Sequence, residues 1–437
     1  MTRRPAGLHL AILALLASLA YAPALFLPLM EDDFPNLSYA VAHGSPAAAA
    51  ALFHDPIFRV RATSAWLMYG LWKAFGLAPA AFHSASLLLH VANCWLLYGI
   101  LRSLTVAAPL RAATTRALAS VRERLPFFAA SFFAVYEGHQ EAVMWFSAMN
   151  EMLLFCFGAA SLLLWLHAEG RISWELASLL AFALALVSKE SAVIWLPLFL
   201  VARPRSGMRL APHAVLAALA IAAVWSTRAF SFRFSDGSFS LAAPFWITWP
   251  RGCARVLWPW GWLALAAIAW LRNARLWRPA AAALAWIGIA LVPYSFLTYS
   301  TQIPSRQTYL ASAGLALLIG LALAHLSVLP DIGRKLAAAA AASILVVNVG
   351  YLWTKKRAQF LERAEPTERL IRLARQTSGP IFVACFPRNR YIAEEAVRMG
   401  AGKSPDTLVW SEAEAAQRGA ARFCYGTPPA RPAALPR

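Results

Sequence analysis

Residues 9–34 read HLAILALLASLAYAPALFLPLMEDDF, and this stretch decides the fold. The run from His9 to Leu29 is apolar and long enough to cross about 30 Å of hydrocarbon at 1.5 Å per residue. Arg3 and Arg4 precede it and hold the N-terminus in the cytoplasm, so Met30 emerges outside. An Ala-rich run reaching Ala22 and Ala24 resembles a secretory signal. The apolar run continues to Leu29 and further spans follow, which favours a retained signal anchor. Three acids, Glu31-Asp32-Asp33, then stand at the outer membrane surface.

The rest of the chain repeats the pattern. Its 437 residues are 60% hydrophobic and only 14% charged, against roughly a quarter charged in soluble domains. Apolar stretches of about 20 residues recur almost end to end. This excludes a soluble globular enzyme and predicts an all-α polytopic membrane protein. The 18 Trp and 25 Phe suit membrane–water boundaries. The net charge of +19 comes from 40 Lys+Arg against 21 Asp+Glu. Nucleic acid is not the expected partner, because the arginines fall in short loops between spans, as cytoplasmic positive charge does. Anionic membrane lipids, or a lipid phosphate, are the compatible partners. Cys94 and Cys156 lie inside apolar spans and read as small buried hydrophobes.

Charge and length predict about 11 transmembrane helices. After a first outer loop, 30–62, the stretch 62–77 contains Lys73 and reads as interfacial. A second span covers 82–101. The next loop carries Arg102, Arg111, Arg116, Arg122 and Arg124 against Glu123, and belongs in the cytoplasm. Further spans are expected at 126–136, 142–166 and 174–187, then one falling to Arg203. Others follow at 211–226, 256–270 and 279–297, one descending to Arg334 and Lys335, and a last at 336–353. That count places the C-terminus outside, although Lys355, Lys356 and Arg357 follow the last span directly. The chain therefore divides into a transmembrane unit, 1–354, and a tail, 355–437. The tail reads as a small α/β appendage with strands at 381–385, 407–410 and 422–425, helices at 391–399 and 411–418, and a disordered Pro-rich end. Cys385 and Cys424 fall on its strands, and two readings are open: a disulfide in an oxidising compartment, or two free thiols.

Four groups of residues carry candidate chemistry, all on the outer side of this topology. In Glu31-Asp32-Asp33-Phe34, mutual repulsion and low dielectric raise carboxylate pKa values, which suits a general base; the alternative is a solvated loop start or a helix N-cap. The turn Glu137-Gly138-His139-Gln140-Glu141 is followed by Asn150 and Glu151, an acid inside an apolar span. The Glu137, His139 and Glu141 spacing also admits a divalent metal, but neither HExxH nor a Cys cluster accompanies it, and no cofactor is expected. In Ser188-Lys189-Glu190-Ser191, Lys189 either pairs with Glu190 or meets a phosphate. Arg306, in Ser305-Arg306-Gln307-Thr308-Tyr309-Leu310, is either an interfacial anchor or a clamp for a lipid-linked phosphate. Acids near a hydroxyl and cations near a phosphate suit transfer from a lipid-carried, phosphate-activated donor. Neither GxxxxGK[ST] nor GxGxxG after a strand is present, so a soluble nucleotide donor is disfavoured.

These residues, in this order, resemble the integral-membrane glycosyltransferases of the GT-C superfold, specifically the transmembrane and tetratricopeptide-repeat O-mannosyltransferases and their bacterial relatives. The acidic pair after the first span is Asp32-Asp33. Arg61, Phe75-Gly76, His83 and Leu88-Leu89-His90 follow, and then His139-Gln140-Glu141-Ala142-Val143-Met144-Trp145. Ser188-Lys189-Glu190 and Arg306 to Leu310 complete the set, which spans roughly residues 8 to 330. Arg61-Ala62-Thr63 replaces the usual Arg-Pro-Leu, the basic residue near Asn150 is missing, and the α/β tail stands where the relatives carry repeats. The resemblance implies inverting transfer of a sugar, hexosyl- or mannosyl-like, from a polyprenyl-phosphate carrier to a hydroxyl on a protein, lipid or glycan, at the outer face of the inner (cytoplasmic) membrane. By that analogy Asp32 or Asp33 is the base, with Asp32 favoured. Lys189 and Arg306 hold the carrier phosphate, His139 and Glu141 shape the pocket, and Arg61 and Glu190 join the substrate-binding set.

Two other readings compete. A transporter or flippase of lipid-linked saccharides fits the span number and the Arg-rich loops, but such proteins commonly show related halves, and this sequence has no such symmetry. The third is an inactive scaffold whose tail binds a partner.

Overall fold

The computed structural model describes residues 6–107, 116–204, 207–230, 237–298 and 302–426. It is helical except for one small sheet near the C-terminus. Six helices among the described residues are long and apolar enough to cross a bilayer. A seventh span results if Phe245–Leu257 and Trp260–Trp270, bent by 71°, count as one. The shorter apolar helices Ile172–Leu186, Glu190–Ala202 and Ser312–Leu326 occupy three more of the expected positions. The helix Ala62–Phe75 lies outside this set and stops at Gly76, whose φ of +59° suits a residue without a Cβ. The protein is thus a multi-pass membrane protein with a small α/β unit, as expected.

The core is organised around Ser312–Leu326 (α3), nearly all of whose residues are buried. It lies against Arg116–Val135 (α1) at a place where a Cβ on Gly320 would stand 2.7 Å from the Ala129 Cβ and 3.0 Å from its backbone. Such close backbones are how small residues bind membrane helices together. Met149–Ala168 (α2) is buried on most of its surface and packs beside Ile172–Leu186. Val346 and Val347 of the helix Ile332–Tyr351 (α4), like Leu219 and Ile221 further back, are exposed. Wide exposed apolar surface of this kind belongs against lipid.

Two expectations are corrected. The span at 142–166 is not continuous: a short helix, Gln140–Met144, ends at the extended Trp145, a 3-10 turn covers Phe146–Ala148, and only then does α2 begin. The short span at 126–136 is the end of a 20-residue helix that starts at Arg116, within the expected cationic loop, and contains Pro126. Its Arg124 donates to Ser327 at 3.0 Å, so that basic segment is packed against the far end of α3. Residues 108–115 of the expected cationic loop, with Arg111, and the Pro-rich end from 427 lie outside the described residues.

The C-terminal part is joined to the membrane part by an unbroken helical stretch. From Tyr351 the helix passes through a π turn at Leu352–Lys356 straight into Arg357–Gln376 (α5). A parallel sheet follows, built from Ile381–Cys385 (β1), Leu408–Val409 (β2) and Ala421–Cys424 (β3) in the order β2-β1-β3. Its crossovers are Arg390–Ala401 (α6) and Glu412–Arg418 (α7). Leu370, Ile381, Val383, Val397 and Phe423 form its own small core. Of the two open readings for its thiols, the structure has the disulfide: Cys385 is bonded to Cys424, joining the ends of β1 and β3.

Candidate functional site

The acidic triad does three different things. After the first membrane helix the chain leaves through Pro23 and Pro28 and turns at Glu31, whose φ of +46° lies in the left-handed region. A side chain there costs roughly 1 kcal/mol or more and needs outside support. The turn sends successive carboxylates in opposite directions. Asp33 goes inward and is 1% exposed. Its Oδ1 accepts from the Ser147 amide at 2.8 Å and the Ser147 hydroxyl at 2.6 Å, and its Oδ2 from the Met30 amide at 2.9 Å. Burial pushes its pKa up to about 6, against the pull of these donors. Asp32 faces out and is exposed. Crowding by the surrounding protein raises its pKa, and Glu31 adds to the rise, while Arg306, Arg363 and Arg388 oppose it.

Glu31 is the hinge of a charge network. Arg363, on α5, grips both of its oxygens, at 2.5 and 3.3 Å. Arg388, in the loop after β1, meets Oε1 at 2.6 Å. The Arg363 guanidinium also lies 4.6 Å from the centre of the Trp145 ring, and that of Arg306 lies 5.0 Å from the same ring. One indole thus carries two cations, an arrangement that needs anions nearby to be favourable. Glu141 supplies one: its Oε2 accepts from the Arg306 amide at 3.1 Å and pairs with its Nη1 at 3.6 Å. The break at Trp145, which the hydropathy pattern concealed, is what places this ring and Ser147 in the site.

A second network begins one helical turn beyond Ser147. Glu151 and Lys189 form a buried ion pair. The Tyr294 hydroxyl donates to Glu151 at 2.7 Å, and the Lys189 ammonium lies 4.8 Å from the Tyr294 ring. The next residue, Glu190, pairs with Arg61 at 2.7 Å, and Thr63 donates to Ser188 at 2.7 Å. The two readings of Ser188-Lys189-Glu190 thus meet a third: Lys189 pairs with an acid 38 residues away, and Glu190 with Arg61.

The structure therefore gathers Asp32, Glu141 and Arg306 with Glu31, and seats Asp33 directly beneath. It places Lys189, Glu190 and Arg61 together in the adjoining network. His139 goes elsewhere. It is fully buried among the rings of His90, Phe133 and Tyr309, and its Nε2 lies 2.6 Å from the Ser312 hydroxyl, tying the turn to α3. Glu137 uses its amide on Asn348 at 2.9 Å. The sequence reading missed Arg363 and Arg388, which lie in the tail, and left Trp145 and Ser147 without a role. The only available signal was the return of arginines directly after the last span.

No family model matches the sequence, and no curated protein matches it. Among solved structures it is similar to ArnT from Cupriavidus metallidurans bound to undecaprenyl phosphate, at 14% identity with a TM-score of 0.51, over 97% of this chain and 90% of that one. The apo ArnT structure from the same organism aligns over 94% and 89% of the two chains, at 14% identity and a TM-score of 0.48. The chain has the GT-C-type polytopic membrane fold that its ordered motifs imply.

Proposed function

We propose that this protein is a membrane glycosyltransferase that moves a sugar from a polyprenyl-phosphate carrier to an acceptor hydroxyl, with its site on the outer face of the cytoplasmic membrane. The observation that carries this reading is the exposed Asp32 carboxylate, just after the first membrane helix, within the field of Arg306 and Arg363. Its fold neighbour was crystallised with undecaprenyl phosphate, a ligand of the chemistry that such arginines suit. The disulfide between Cys385 and Cys424 belongs to an oxidising compartment. Arg363 and Arg388 tie that disulfide-bonded unit to Glu31, so site and tail share one side.

In this scheme Asp32 takes the proton of the acceptor hydroxyl as its oxygen attacks the anomeric carbon from the face opposite the carrier. The bond from that carbon to the phosphate oxygen breaks, and the electron pair leaves with the polyprenyl phosphate. Arg306 and Arg363 stabilise the charge that develops there, and Trp145 keeps both guanidiniums in place. Asp33 orients the segment through Ser147. The buried Glu151–Lys189 pair holds α2 against the turn before Glu190–Ala202, a positioning part rather than an open phosphate site. The sugar is a hexose-class unit in this reading. The test is transfer of label from radiolabelled undecaprenyl-phosphate hexoses in membranes containing the protein. Transfer that persists with Asp32→Asn removes the proposed base, and absence of transfer from every polyprenyl-phosphate sugar removes the function.

A further inference from the structure

Both guanidiniums on Glu31 come from the C-terminal unit, yet they are held differently. Arg363 belongs to a continuous helix and is stacked on Trp145. Arg388 stands in the four-residue connection 386–389, three residues beyond Cys385. The disulfide closes the strand ends from which that connection springs. At its other end Asn389 caps α6, accepting from the Tyr391 amide at 3.2 Å. The side chain of Arg388 is 37% exposed and crosses from the tail to the membrane part.

We propose that Arg388 is a positioning residue for Asp32, held on Glu31 by the disulfide-braced 386–389 connection, so that the tail is a working part of the site and its state depends on the disulfide. The inference rests on the reading of Asp32 as the base. The charged groups around Asp32 are Glu31 and Asp33 on its own segment, Arg306 with Glu141 behind it, Arg363 on α5 and Arg388. Removing Arg388 leaves Glu31 with Arg363 alone, so the less compensated carboxylate acts more strongly on Asp32, which also loses the nearby Arg388 charge. A nearby negative charge holds a proton on a carboxyl to higher pH. A base works only when ionised, so the loss falls at acidic pH and disappears as pH rises.

The experiment uses the full chain in detergent and the undecaprenyl-phosphate hexose it accepts, with kcat/KM followed against pH. Arg388→Gln is expected to move the acidic limb upward by about one pH unit, an approximately tenfold loss below it, with recovery at alkaline pH. Arg388→Lys, which keeps the charge but not the fork, restores most of the limb, and reducing the disulfide in the wild-type chain reproduces the shift. An acidic limb unmoved by Arg388→Gln, or a loss equal at every pH, overturns the proposal. A readout free of turnover is hydrogen–deuterium exchange: reduction is expected to speed exchange in both 386–389 and 30–33. Unchanged exchange at 30–33 overturns the coupling whether or not the chain transfers sugar. A wild-type chain inactive with every such donor overturns the function, and with it the role of Asp32.

Discussion

At the scale of single residues, two adjacent aspartates have been given different work by one backbone turn. Asp33 needs two acceptor oxygens, because amide and hydroxyl donors approach both. Asn offers only one and would set its own NH2 against a donor. Asp33→Asn is therefore expected to lower stability by about 1–3 kcal/mol, read as a drop in thermal midpoint in detergent. Its pH dependence has a definite sign. The folded pKa of about 6 lies above the usual aspartate value near 3.9. The contribution of Asp33 to stability is thus full below the unfolded pKa and is lost as pH rises through about 6, by at most about 3 kcal/mol. Wild type minus Asp33→Asn midpoints measured across that window should show this slope. Asp32 makes no such structural bonds. Asp32→Asn should leave the midpoint nearly unchanged while lowering transfer about a hundredfold to ten-thousandfold, the range for a lost general base.

At the scale of elements, buried polar pairs and close helix contacts set the geometry. Lys189→Met strands Glu151 in the interior, and breaking a buried pair costs about 3–5 kcal/mol. The double change Lys189→Met with Glu151→Leu should regain much of that midpoint, because no lone charge remains. If the single and double variants melt alike, the pair is not holding α2. Helix packing gives a second contrast. Gly320→Val drives two methyls into the backbone around Ala129 on α1 and is expected to cost about 1–3 kcal/mol. Gly350→Ala has nothing within 4 Å and should be neutral or slightly stabilising.

At the scale of the whole molecule, the C-terminal unit and the acidic segment share one face, and Arg334 lies in the first turn of the 20-residue α4, at the end away from them. Twenty residues span about 30 Å, the thickness of the hydrocarbon core. Cysteines placed at the exposed positions Asn36 and Glu368 should react with a membrane-impermeant maleimide added to intact cells. One at Arg334 should react only after permeabilisation. Labelling of positions 36 and 368 from opposite sides would separate Glu31 from its arginines and dissolve the site.

Much of the architecture was legible along the chain. Hydrophobic runs of bilayer length and the arginine bias of the loops are local signals, because lipid forces each helix to satisfy its own backbone hydrogen bonds. The strands at 381–385 and 422–425 show as short apolar runs outside the spans. Asp32, Glu141 and Arg306 were legible for a related reason: a charge beside an apolar span is conspicuous. The interruption at Trp145 was hidden, since a broken helix and a continuous one have the same hydropathy. So was the separation of Asp32 from Asp33, which depends on the φ of Glu31, and so was the inward path of His139. Arg363 and Arg388 were out of reach altogether, because pairing across more than 300 residues leaves no trace in local composition. The sequence by itself determined which segments enter the membrane. Only the tertiary structure decided which charges meet, because ion pairs are made by neighbours in space.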